Sequence, residues 1–153
     1  MMIVDLVRND LAKSCISGSV KVEEIFGVYT FPLWHQMIST ITGTKRGLIS
    51  SVDCIENAFP MGSMTGAPKV KVMELSERYE KSKRGIYSGS VGYFLPNGDF
   101  DFNVVIRSLA YNSISKNGSF HVGGAITYDS IPEDEYDECM VKANTILKVF
   151  DIK

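Results

Sequence analysis

An α+β fold, with helices packed on an antiparallel sheet, is predicted by three features of this chain. Several segments carry apolar residues at helical spacing, and the stretch after Arg84 changes to β-branched and aromatic residues. Within that stretch, Asn97-Gly98 and Asn117-Gly118 punctuate the sequence as hairpin turns do, because both residue types tolerate positive φ.

The elements follow in order. Met2, Ile3, Leu6 and Val7 recur at helical spacing from Met1 to about Ala12, with no preceding cap, so the chain is expected to begin inside a helix. Ser14 to Ser19 is a turn-rich break. Val20 to Phe31 is rich in β-branched and aromatic residues and predicts a strand with an acidic interruption at Glu23-Glu24. After Pro32, Leu33 to Thr42 alternates in part and reads as a second strand that includes His35. Leu48 to Ala58 nearly follows a helical stripe through Ile49, Val52 and Ile55.

Phe59 to Lys69 reads as a tight loop delivering the chain into a helix, which Pro68 begins and Arg84-Gly85 ends. Its glycines, hydroxyls and helix start suit an anion, or are an ordinary loop with a well-capped helix. Val72, Leu75 and Tyr79 mark the apolar face of that helix. The runs Ile86 to Leu95, Phe100 to Tyr111 and Phe120 to Tyr128 predict a three-stranded meander. Ser130 to Val149 predicts a closing helix, with Ser130 and Glu133 at capping-box spacing and Pro132 in the first turn.

The 153 residues are enough for one self-supporting domain, and 44% apolar with 22% charged residues argues against disorder. A formal charge of -2 leaves no basic footprint for nucleic acid, so an acidic ligand would need local cations, backbone donors or a metal. Cys15, Cys54 and Cys139 are odd in number and widely spaced, which predicts reduced, mostly buried thiols and a cytoplasmic setting. No apolar run reaches membrane-spanning length, and the first residues lack the plan of a signal peptide.

The closing helix carries the sharpest constellation. Glu135, Glu138 and Lys142 share one face at spacings of three and four, bordering the apolar stripe Cys139, Ala143, Ile146 and Phe150. Carboxylates at such a margin need partners: a hard divalent cation such as Mg²⁺ is one, an intrahelical Glu138–Lys142 pair the other. His35, beside Trp34 and Met37, is either a hydrogen-bonded core residue or the chain's best general acid or base. His121, flanking Gly123-Gly124, is a weaker candidate. Arg107 sits in an apolar run, where it serves either a bound carboxylate or an internal ion pair. Gly123 and Gly124 mark close backbone approach or a bulge. No Ser or Cys nucleophile triad is evident, and the Gly62 to Lys69 stretch lacks the ending of a P-loop.

Several of these motifs together resemble the chorismate-utilising enzymes: Phe59-Pro60-x-Gly62-Ser63-x-Thr65-Gly66-Ala67-Pro68-Lys69, Val91-Gly92-Tyr93, Ile106-Arg107-Ser108, Gly123-Gly124-Ala125-Ile126, and Asp129-Ser130-x-Pro132-x-x-Glu135-x-x-Glu138-x-x-x-Lys142-Ala143. The likeness runs from Asp5-Leu6-x-Arg8-Asn9-Asp10 to Lys142. It is nearest to the aminodeoxychorismate (para-aminobenzoate) branch and next to the anthranilate branch; isochorismate and salicylate synthases are further off.

The resemblance implies a site for the dicarboxylate chorismate with Mg²⁺. By motif, Glu135 and Glu138 fall at the second of the family's two Glu-x-x-Glu metal pairs, and Lys142 at the lysine that accompanies it. His35 falls near the ring hydroxyl and Ser63 at the loop hydroxyl. Tyr87 and Arg107 match substrate-carboxylate contacts, and Gly123 and Gly124 match backbone donors. The implied reaction replaces the C4 hydroxyl of chorismate by an amine, using ammonia made from glutamine by a partner amidotransferase, a step toward para-aminobenzoate and folate. The family's first Glu-x-x-Glu pair and its Pro-Ile-Lys-Gly-Thr stretch, whose lysine separates the branches, have no counterpart in the 153 residues. Residues 1–153 are therefore expected to be the C-terminal part of a chorismate-binding catalytic domain. Taken alone, this part is expected to be inactive and prone to self-association.

Overall fold

A computed structural model describes residues 1–32 and 35–150. Leu33 and Trp34, read above as the start of a strand and as the neighbour of His35, lie outside the described residues, as does the side chain of Phe150. The helices and small antiparallel sheets make an α+β architecture, as the sequence predicts. The chain divides into two compact units, one of Met1–Lys81 with Gly92–Asp101, the other of Ser82–Val91 with the chain from Phe102 onward.

In the first unit, α1 (Met2–Ser14) packs against α2 (Ser51–Ala58), strand β2 (His35–Thr42) and the one-turn helix α3 (Gly62–Thr65). The apolar spacing at Met2 and Ile3 points to a buried stripe, yet both are exposed; the buried residues of α1 are Val4, Asp10 and Ser14. Asp10 and Ser14 tolerate burial because each is bonded, Asp10 to lysines and the Ser14 hydroxyl to Asn57 Nδ2 at 3.0 Å. Strand β1 (Lys21–Thr30) pairs antiparallel with β2, from Lys21 opposite Thr42 to Thr30 opposite His35. The acidic interruption is where the ladder loses register, between Val22 and Glu24 and again before Gly27.

Helix α2 begins later than its apolar stripe suggests, at a capping box. The Ser50 hydroxyl accepts from the Asp53 N–H, and Asp53 Oδ2 accepts from the Ser50 N–H. Helix α4 (Lys69–Tyr79) follows Pro68, with Val72 half-buried and Leu75 and Tyr79 exposed.

The predicted three-stranded meander is replaced by two hairpins. Strands β3 (Ser90–Phe94) and β4 (Phe100–Val104) pair around a turn at Asn97-Gly98, where Gly98 has φ 90°. Strand β5 (Leu109–Asn112) pairs with β6 (Asn117–Phe120), Leu109 opposite Phe120 and Asn112 opposite Asn117. Asn117-Gly118 therefore lies in a strand. The turn is Ser113 to Lys116, closed by the Asn112 side chain accepting from the Ile114 and Ser115 N–H groups, with Lys116 at φ 60°. The run beyond Phe120 is not a strand: residues 121–127 carry no regular structure.

Helix α5 (Pro132–Leu147) closes the second unit, burying Ala143 and Ile146, while Val105 is buried after β4. The expected Ser130–Glu133 capping box does not form; Ile131 is the cap, and the Ser130 hydroxyl is engaged elsewhere.

Candidate functional site

The second unit brings six of the sequence-identified residues together around the Gly123-Gly124 peptide. Helix α5 presents Glu135, Glu138 and Lys142 from one face, as their spacing requires. The Lys142 ammonium donates to the carbonyl oxygen of Gly123 at 3.0 Å and pairs with Glu138 Oε1. A Cβ placed on Gly124 would stand 2.9 Å from Glu135 Oε2 and 3.9 Å from Glu138 Oε1. One placed on Gly123 would stand 2.9 Å from the Tyr87 hydroxyl oxygen. The glycines are thus explained by close approach of side chains rather than by a bulge.

Glu135 is held by its neighbours. Ser130 Oγ donates to Glu135 Oε1 at 2.6 Å and accepts from the Thr127 N–H at 2.9 Å, so one hydroxyl joins the loop to the helix. Sequence reasoning gave Ser130 a capping role. Its position five residues before Glu135 carries no helical signal, since Ser130 precedes the helix.

Tyr87 stands against Gly123. Its ring stacks on His121, with centroids 5.6 Å apart and planes 20° from parallel, and the Arg84 guanidinium lies 5.9 Å from its ring centroid. Arg84 also donates to Ser88 Oγ at 3.0 Å. A cavity of about 240 Å³ opens beside this stack, lined by Lys83, Arg84, Tyr87, Ser108, Ser119 and His121 among others. Arg84, first read only as a helix end, is the site residue the sequence reading missed; its signal is the Arg-Gly-x-Tyr spacing that returns it to the Tyr87 ring.

Arg107 belongs to the same unit but not to a strand. Strand β4 ends at Val104, and Arg107 follows at φ 49° in an exposed turn beside Ser108. His35 and Ser63 belong to the first unit. His35 is the exposed first residue of β2, its Nδ1 3.1 Å from Thr30 Oγ1. Ser63 is exposed on α3, whose other hydroxyl, Thr65 Oγ1, donates back to the Met61 carbonyl at 3.2 Å.

Among the described residues no three His, Cys, Asp or Glu side chains gather as a metal cage. Of the two partners the spacing allows, the intrahelical one is present, Glu138 with Lys142; Glu135 and Glu138, both reaching toward one glycine, are also the carboxylates that could hold a hard cation of the Mg²⁺ type. Such an ion takes one or two protein carboxylates and completes its shell with water and substrate oxygens. Cys15, Cys54 and Cys139 are free thiols, Cys15 buried and the others half-buried. No helix is long and apolar enough to cross a membrane, among the described residues.

The sequence profile of a family described as chorismate binding enzyme matches residues 1–148. A probable chloroplastic aminodeoxychorismate synthase from Oryza sativa is 50% identical over 151 residues, covering 99% of this chain and 17% of that protein. Aminodeoxychorismate synthase component 1 of Escherichia coli is 43% identical, covering 97% of this chain and 32% of that protein. The crystal structure of anthranilate synthase component I from Streptococcus pneumoniae superposes with a TM-score of 0.80 at 32% identity, over 94% of this chain and 33% of that one. The chain thus spans between 17% and 33% of the length of these three proteins.

Proposed function

The chain belongs to the chorismate-binding enzyme family, and from that premise we propose that it is the C-terminal part of an aminodeoxychorismate synthase component I, aminating chorismate at C4. The cradle around Gly123-Gly124 is the observation that carries the reading: two carboxylates, an ammonium and a tyrosine hydroxyl converge on one peptide, with Gly123 half-buried and Gly124 exposed. The aminodeoxychorismate branch is favoured because the rice and Escherichia coli relatives bearing that name are 50% and 43% identical. The anthranilate branch is the second reading, on the strength of the Streptococcus pneumoniae likeness.

In this reading Glu135 and Glu138 would hold Mg²⁺, which would supply positive charge to an anionic substrate. Ser130 orients Glu135, so that carboxylate is set before substrate arrives. Lys142 fixes Glu138 and the Gly123 carbonyl together, which holds the peptide in place for hydrogen bonding to the ligand. Tyr87, braced by His121 and Arg84, and Arg107 are the donors for the carboxylates of chorismate. His35 and Ser63 are the first unit's candidates, an imidazole for proton transfer and a hydroxyl for hydrogen bonding. The amine comes from glutamine through a partner amidotransferase. Three free thiols support a reducing, cytoplasm-like compartment, although the rice relative's name places that protein in the chloroplast.

The test is to give the complete gene product chorismate, Mg²⁺ and ammonia, then identify the product by chromatography and fluorescence. Aminodeoxychorismate is expected. Anthranilate would move the chain to the second reading, and no consumption of chorismate would overturn both. The 153 residues alone are expected to show no turnover.

A further inference from the structure

Outside the glycine cradle, the first unit holds a buried carboxylate that the proposed chemistry does not use. Asp10 is only 5% exposed, yet two ammonium groups reach it, Lys69 Nζ at 2.6 Å from Oδ2 and Lys13 Nζ at 3.1 Å from Oδ1. The two lysines differ. Both also donate to a carbonyl at the end of α2, Lys13 to Asn57 at 3.1 Å and Lys69 to Ala58 at 3.0 Å, but Lys13 is half exposed and shares α1 with Asp10, whereas the Lys69 side chain keeps 16% of its surface and comes from α4. Ala58 is the last residue of α2 and Lys69 the first of α4, so one ammonium closes the neck of the whole Phe59–Pro68 loop.

The same loop is seated on α1 further along. Gly62 is buried, and a Cβ there would stand 3.0 Å from the Cβ of Leu6, one turn before Asp10 on that helix. Neck and seat therefore rest on one element, with Ser63 exposed between them. Burying an ion pair is not in itself a gain in stability, since an apolar pair of similar size often does as well. Its directional bonds instead specify one placement of the groups they join.

We propose that Asp10 and Lys69 are positioning residues that lock the Ser63 loop against α1 in its substrate-binding geometry. The proposal rests on the reading of Ser63 as a hydroxyl for the substrate; the clamp itself is independent of that reading. A loop freed at its neck shifts the hydroxyl it carries, and small misplacements of positioning groups are costly in rate.

The experiment compares Lys69→Met, Lys69→Arg, Asp10→Asn and Lys13→Met in the complete gene product, by amide hydrogen exchange and by steady-state kinetics with chorismate. Lys69→Met and Asp10→Asn should speed exchange at 62–66 and lower kcat/KM, each by about tenfold or more. Exchange in the β1–β2 hairpin should be unchanged, Lys69→Arg should recover part of both losses, and Lys13→Met should stay within about twofold of the parent. A merely structural pair would instead loosen the unit as a whole, raising exchange in the hairpin as much as in the loop, and would overturn the proposal. So would loop exchange and kcat/KM within about twofold of the parent in Lys69→Met. If Lys69→Met does not fold, Asp10→Asn decides: faster exchange confined to the loop supports the clamp, and no change at 62–66 overturns it. Accelerated loop exchange in a protein that never consumes chorismate would uphold the clamp while sinking the functional reading.

Discussion

Gly124 shows how much one missing Cβ decides. The atoms it would meet are the side-chain carboxylate oxygens of Glu135 and Glu138, not backbone. A methyl group there displaces these two carboxylates without breaking the fold. In the complete gene product, Gly124→Ala should keep its far-UV circular dichroism and raise the Mg²⁺ needed for half-maximal turnover by about tenfold; an unchanged Mg²⁺ requirement would mean that Glu135 is not a ligand. The acidic row itself was legible in the sequence because positions 135, 138 and 142 are fixed by helix geometry alone. The meaning of the glycines was not. The bond from Lys142 to the Gly123 carbonyl spans 19 residues, and no local pattern encodes an approach of that kind.

At the scale of elements, what the sequence made legible were the local signals with no competitor. Asn97-Gly98 turns the β3–β4 hairpin as predicted. Asn117-Gly118 has the same letters but loses the turn to Asn112, whose side chain closes a longer loop and leaves Gly118 opposite Tyr111. Ser130 likewise has capping-box spacing, and Glu135 takes its hydroxyl. The box that does form, Ser50 with Asp53, makes a separable prediction: Ser50→Ala should cost about 1 kcal/mol of stability in urea unfolding. Loss of less than a few tenths of a kcal/mol would show that the cap is dispensable. The Ser50 hydroxyl, and then its backbone N–H, hold the Asp53 carboxyl below its ordinary value of 3.8. A lowered folded pKa contributes stability that is present above pH 3.8 and is lost as pH falls through the lowered value. The difference between parent and Ser50→Ala should therefore shrink below that pH, and a difference that grows on acidification would contradict the assignment.

The described residues bury little. Among the described residues no large side chain is fully buried, and each of the three sheets has two strands. Val28 and Met37, paired across the β1–β2 hairpin, are 68% and 60% exposed, and Val141 on α5 is 68% exposed. Two-stranded sheets with exposed apolar faces and open edges favour pairing with other chains. The 153 residues expressed alone should therefore gain mass with concentration in light scattering, and a constant monomer mass across the micromolar range would contradict this. Composition could not reveal this property, because an apolar fraction of 44% is ordinary; what differs is how few of those residues the elements cover.

The account as a whole turns on whether Glu135 and Glu138 would hold a divalent cation. The most direct measurement is calorimetric titration of chorismate into the complete gene product with and without Mg²⁺, repeated on Glu138→Gln. Binding should tighten with Mg²⁺ in the parent and lose that response in Glu138→Gln. Equal affinity with and without Mg²⁺, or a variant that responds as the parent does, would contradict the account.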